Sequence, residues 1–114
     1  MLIGYARVST YDQTLALQQD ALTKVECSKI FTDTASGANI ERKGLDEALA
    51  YVRNGDTLVV WRLDRLGHSL PHLITTLTGL EERGIGFKSL TENIDTTTSG
   101  GKLIFHYLWR LSGV

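Results

Sequence analysis

Thr57-Leu58-Val59-Val60-Trp61 is the stretch on which the fold turns: a short run of β-branched, aliphatic and aromatic residues with no polar residue after its threonine. Such a run suits a central strand buried on both faces, which needs cover above and below the sheet. Asn54-Gly55-Asp56 stands before it as a break, and the charged Arg62-Leu63-Asp64-Arg65 follows it. The sheet is therefore expected to lie between helices, with charged residues gathered where this strand ends.

Upstream, Leu45, Leu49 and Val52 repeat at helical spacing. Residues 33–41 are polar and include Ser36-Gly37-Ala38-Asn39, a composition expected to give a mobile surface loop. Residues 29–32 read as a short strand. Before them, Leu15, Leu22 and Val25 share one face of a helix that Thr10 or Asp12 can cap, with Gln18 and Gln19 flanking. Residues 2–8 alternate as a buried strand that ends near Ser9-Thr10.

Downstream, Leu70, Leu73, Ile74, Leu77 and Leu80 form a stripe on a helix that Ser69 can cap and that tolerates Pro71 in its first turn. Gly84 closes it, residues 85–90 read as a strand, and residues 91–101 as a long polar loop. In residues 102–111, Leu103, Ile104, Tyr107, Leu108 and Leu111 keep helical spacing, with Phe105 and Trp109 widening the apolar arc. Such a helix either sinks into the core or forms a subunit interface. Alternating strands and helices predict an α/β fold with a mostly parallel central sheet, helices on both faces and a C-terminal helix.

The chain has 114 residues, 42% hydrophobic and 22% charged, which suits one globular domain. One cysteine, Cys27, excludes an internal disulfide and fits a reducing cytoplasm. The start of the chain has no charged-then-apolar leader pattern, and no apolar run nears the roughly 18 residues of a membrane span. A net charge of −1 argues against tight DNA binding by composition alone, so any DNA role rests on a local arginine cluster, an additional domain, or both.

Chemistry is expected at the carboxyl ends of the strands. Period-two alternation puts Arg7 and Ser9 on one strand face, a guanidinium beside a hydroxyl, while Asp64 and Arg65 follow the central strand. Arginine can fork two donors onto a phosphate that a serine attacks, although a surface ion pair and a solvated serine would read the same way. His68 and His72 are four apart, but no nearby carboxylate completes a zinc site, and Gly100-Gly101-Lys102 lacks the rest of a phosphate-binding loop. Trp61, Trp109 and Cys27 read as packed core.

Tyr5-Ala6-Arg7-Val8-Ser9-Thr10, then Asp12-Gln13 and Leu17-Gln18, resembles the opening of the serine recombinase catalytic domain found in resolvases and DNA invertases. Asp33 with Ser36-Gly37, Arg42 with Gly44-Leu45, Gly55-Asp56, residues 61–67, and Leu90-Thr91-Glu92 running into Ile94-Asp95-Thr96 resemble further family motifs in the same order. The resemblance implies a three-layer α/β/α domain over residues 1–101. It also implies that residues 102–114 begin a long dimerisation helix, truncated here, with the family's C-terminal helix-turn-helix domain absent. A truncated gene or a trimmed chain would account for that.

By the same resemblance, Ser9 attacks double-stranded DNA and forms a 5′-phosphoserine link without ATP, metal or cofactor. Arg7, Arg42 and Arg65 would clamp the phosphate, Asp64 would orient or protonate there, and Gln13 and Gln18 would help to hold the site. Homodimers and tetramers are implied, because two duplexes need four cuts. One departure stands out: His68 occupies a position where the family carries a catalytic arginine. Histidine lacks the arginine fork and is largely neutral near pH 7, so recombination is expected to be reduced or absent and restored by His68→Arg. A catalytically dead remnant that folds and self-associates is the rival reading. A phosphate-sensing α/β domain without a DNA partner is a more distant one.

Overall fold

The computed structural model describes residues 1–9, 15–35, 43–62 and 70–98, with 103, 107 and 110. Its elements run β1 (Leu2–Ser9), α1 (Leu15–Lys24), β2 (Lys29–Ala35), α2 (Lys43–Tyr51), β3 (Thr57–Val60), α3 (Leu70–Glu82), β4 (Gly86–Ser89) and β5 (Ile94–Asp95). The sheet order is β2-β1-β3-β4-β5, with parallel pairing except between β4 and β5.

Two apolar clusters give the three layers. Ile3, Tyr5, Leu58, Val60 and Phe87 of the sheet pack with Leu45, Ala48 and Val52 of the α2 region and with Leu73, Leu77 and Leu80 of α3. Ala6 and Val59 face the other way and meet Leu22, with Val25, Cys27 and Ile30 beside them. Leu58, Val59 and Val60 are fully buried, as the unbroken apolar run of β3 demands. From Leu73 onward the stripe on α3 is buried too. That helix ends where Gly84 adopts φ 71°, with Gly84 and Ile85 donating their N–H groups to the carbonyls of Glu81 and Leu80.

Three expectations need correction, and one alternative is narrowed. Residues 33–35 are not loop but the end of β2, and Asp33 is buried. Residues 94–95 interrupt the expected long loop as the antiparallel strand β5, entered through Asn93 at φ 56°. Trp61 lies just past the end of β3 and is half-buried instead of core, with the Arg62 guanidinium 4.6 Å from its ring centroid. On the last helix, Leu103 and Tyr107 are 71% and 62% exposed, so that helix does not sink wholly into the core of its own chain. Trp109 lies outside the described residues.

Candidate active site

The strand order creates a switch point. From β1 the chain crosses by α1 on one face to β2, then by α2 on the other face past β1 to β3. In open α/β sheets, ligands bind beyond the carboxyl ends of strands where connections diverge in this way. β1 and β3 flank that point. Arg7 and Ser9 close β1, and β3 leaves its ladder at Val60, level with Tyr5, before Trp61 and Arg62.

Gln18 fixes Arg7. Past the Tyr5 and Val60 pair, the N–H of Arg7 donates to Oε1 of Gln18 at 3.2 Å, and Nε2 of Gln18 donates to the Arg7 carbonyl at 3.1 Å. The amide thus acts like a short piece of neighbouring strand. It is fully buried, and its polar ends are used where they would otherwise cost energy. α1 in this way sets the backbone two residues before Ser9.

Asp33 makes a second fixture. Its register partner on β1 is Arg7, so the two share a sheet face. Oδ2 accepts the Tyr5 hydroxyl at 2.7 Å and the N–H of Leu45 at 3.0 Å, while Oδ1 accepts the N–H of Gly44 at 2.7 Å. Gly44 and Leu45 belong to the first turn of α2, whose N–H groups have no partner within the helix. A carboxylate from β2 caps that turn and meets the positive end of the helix dipole. Gly44 must be glycine, because a Cβ there would lie 2.3 Å from the Thr32 carbonyl oxygen. Arg42 directly precedes this anchored turn.

Residues 2–112 match the family model described as "Resolvase, N terminal domain". The chain belongs to the resolvase family. It is 52% identical over 112 residues to a DNA-invertase of Escherichia phage P1, covering 98% of this chain and 60% of that protein. The serine recombinase gin of Escherichia phage Mu is 52% identical, over 98% of this chain and 58% of its own length. The transposon Tn552 resolvase of Staphylococcus aureus is 55% identical over 108 residues, covering 93% of this chain and 55% of that protein. The chain thus spans somewhat over half the length of these relatives. A crystal structure of the N-terminal catalytic domain of TP901-1 integrase superposes with a TM-score of 0.81 at 29% identity, covering 98% of this chain and 93% of that one. A resolvase family site-specific recombinase from Streptococcus pneumoniae shares the fold at 20% identity and a TM-score of 0.73, covering 98% of this chain and 85% of that one.

Of the residues that the motifs single out in this resolvase-family chain, Arg7 and Gln18 are brought together, with the backbone of Ser9 beside them. Gln13, Arg42, Asp64, Arg65 and His68 lie outside the described residues. Reasoning from sequence missed the joint between Tyr5 and Asp33. Its one available signal was a tyrosine in an otherwise apolar strand, since a buried phenol seeks a partner for its O–H. Burial pushes the Cys27 thiol up, partly offset by the charge of Lys88, as suits a packed residue more than a reactive one. Among the described residues no His, Cys, Asp and Glu side chains cluster as metal ligands, and no helix is long and apolar enough to cross a membrane.

Proposed function

We propose that this chain carries the cutting and rejoining centre of a site-specific DNA recombinase, with Ser9 as nucleophile. The observation that carries the reading is the position of Ser9: last residue of β1, two beyond Arg7, at the switch point of the sheet in a resolvase-family chain. The Ser9 hydroxyl attacks a phosphodiester of double-stranded DNA. An ester bond from phosphorus to Ser9 forms, the bond to the 3′ oxygen breaks, and the proton lost by serine is balanced by the one gained by the departing 3′ hydroxyl. Attack by a 3′ hydroxyl on the 5′-phosphoserine link reverses these steps, so bond energy is kept and neither ATP, cofactor nor metal enters.

Arg7, Arg42 and Arg65 stabilise charge on the equatorial phosphate oxygens. Asp64 orients or protonates groups there, Gln13 steadies the site, and Gln18 acts through the backbone of Arg7. Residues 1–101 form the catalytic unit and residues 102–114 begin a dimerisation helix, for which exposed Leu103 and Tyr107 supply an apolar stripe. Dimers pair into tetramers in the cytoplasm to cut two duplexes. With a net charge of −1, residues 1–114 bind DNA weakly by themselves.

The test is a pool of nicked oligonucleotide duplexes of randomised sequence, digested after incubation and searched by mass spectrometry for a nucleotide on Ser9. The adduct is expected with the parent, absent in Ser9→Ala, and faster in His68→Arg by about 10²-fold or more, given what a transition-state arginine contributes. A His68→Arg variant no faster than an active parent would remove His68 as the cause of impairment. His68 also favours a second reading, a folded and self-associating remnant, which stands if neither parent nor His68→Arg forms the adduct.

A further inference from the structure

We infer that Thr91 is a positioning residue: its main-chain and side-chain donors latch the carbonyl of Trp61, and so fix the peptide that leads in sequence into the segment carrying Asp64 and Arg65. The inference rests on the reading above that this segment serves the phosphate. The Trp61 carbonyl accepts the N–H of Thr91 at 2.9 Å and the Thr91 hydroxyl at 2.7 Å. Both of its lone pairs are thus engaged by one residue.

The surrounding turn is built to hold Thr91 there. The N–H of Leu90 donates to the Val60 carbonyl at 3.0 Å, which extends the pairing of β3 and β4 beyond the regular strands. Glu92 then folds back and accepts the hydroxyl of fully buried Ser89, while the N–H of Asn93 closes onto the Leu90 carbonyl at 3.3 Å. Asn93 reverses the chain with φ 56° into β5. Leu90-Thr91-Glu92, which the chemistry proposed above does not use, has a part in architecture: extend the ladder, latch the carbonyl, close the turn.

A carbonyl held by two donors fixes the plane of the peptide that includes the Arg62 nitrogen. Arg62 itself stacks on the Trp61 ring. The chain therefore leaves β3 in one direction, and a catalytic group displaced by about 1 Å can lose on the order of 10²-fold in rate. Thr91 is exposed and contributes little to the core, so its hydroxyl can be removed without unfolding the domain.

Thr91→Val keeps the shape and the N–H and deletes only the hydroxyl. Thr91→Ser restores the hydroxyl. Thr98→Val removes a comparable exposed hydroxyl that bonds the Asp95 carbonyl within its own turn, and serves as control. Two measurements are made on the full chain. Deuterium exchange should quicken across residues 61–66 in Thr91→Val alone, with β4 unchanged. With the same nicked duplex pool, the maximal rate of Ser9 adduct formation should fall about tenfold or more in Thr91→Val, while the half-saturating duplex concentration stays within about twofold and Thr91→Ser matches the parent. Exchange across residues 61–66 identical in Thr91→Val and parent overturns the latch, as does a Thr91→Ser variant as slow as Thr91→Val. A parent that forms no adduct overturns the functional reading, and the exchange result still decides the latch.

Discussion

A single carboxylate at position 33 ties three elements together. Removing it would leave the Tyr5 hydroxyl and two helix N–H groups in a buried place without their acceptor. Each buried orphan costs about 1–3 kcal/mol, and loss of a helix cap alone about 1 kcal/mol. Asp33→Ala is therefore expected to lower unfolding stability by about 3 kcal/mol, measured by urea denaturation. Tyr5→Phe removes one donor and leaves the cap, so it should cost about 1 kcal/mol. A loss in Asp33→Ala no larger than in Tyr5→Phe would mean that the cap onto α2 contributes nothing.

At the scale of elements, α2 and β2 approach so closely that the helix can begin only with a residue lacking a side chain. Gly44→Ala would gain up to about 1 kcal/mol in helix propensity, yet its Cβ would meet main chain that cannot swing aside. A net loss of about 2 kcal/mol in thermal or chemical unfolding is expected, and a stabilised Gly44→Ala would refute the close approach. The central elements were legible because their signals are local: the apolar run of β3, the stripe of α3, and Gly84 closing that helix. The end of β2 was not, because Asp33 reads as a turn former until its partners are known, and those lie 28, 11 and 12 residues away. β5 has two residues, too few for any period to show. Of the site, the end of β1 at Ser9 was legible in the sequence, whereas the part Gln18 plays in holding the Arg7 backbone depends on α1 folding over the sheet. Trp61 misled because hydrophobicity marks it as core, while it stands just beyond its strand under an arginine.

At the scale of the whole molecule, one exposed stripe and the net charge set the expectations. The stripe of Leu103 and Tyr107 is apolar and open in the single chain. If it is the proposed self-association face, Leu103→Glu with Tyr107→Glu should shift sedimentation towards monomer without lowering the unfolding midpoint of the monomer. An unchanged distribution of species would place the interface elsewhere. The near-neutral net charge sets the other expectation: affinity of residues 1–114 for duplex DNA should be micromolar or weaker at physiological salt. Nanomolar site-specific binding by these residues would contradict it.

The diverging connections at the switch point also order events during synthesis. β1 leaves the ribosome before the other strands of the sheet but is flanked by β2 on one side and by β3, a later segment, on the other. Closing that second ladder waits on a distant stretch of chain, and such long-range pairings form slowly. A nascent polypeptide therefore carries Ser9 before β3 has emerged to complete the sheet around β1, and the centre proposed above cannot assemble until that pairing closes.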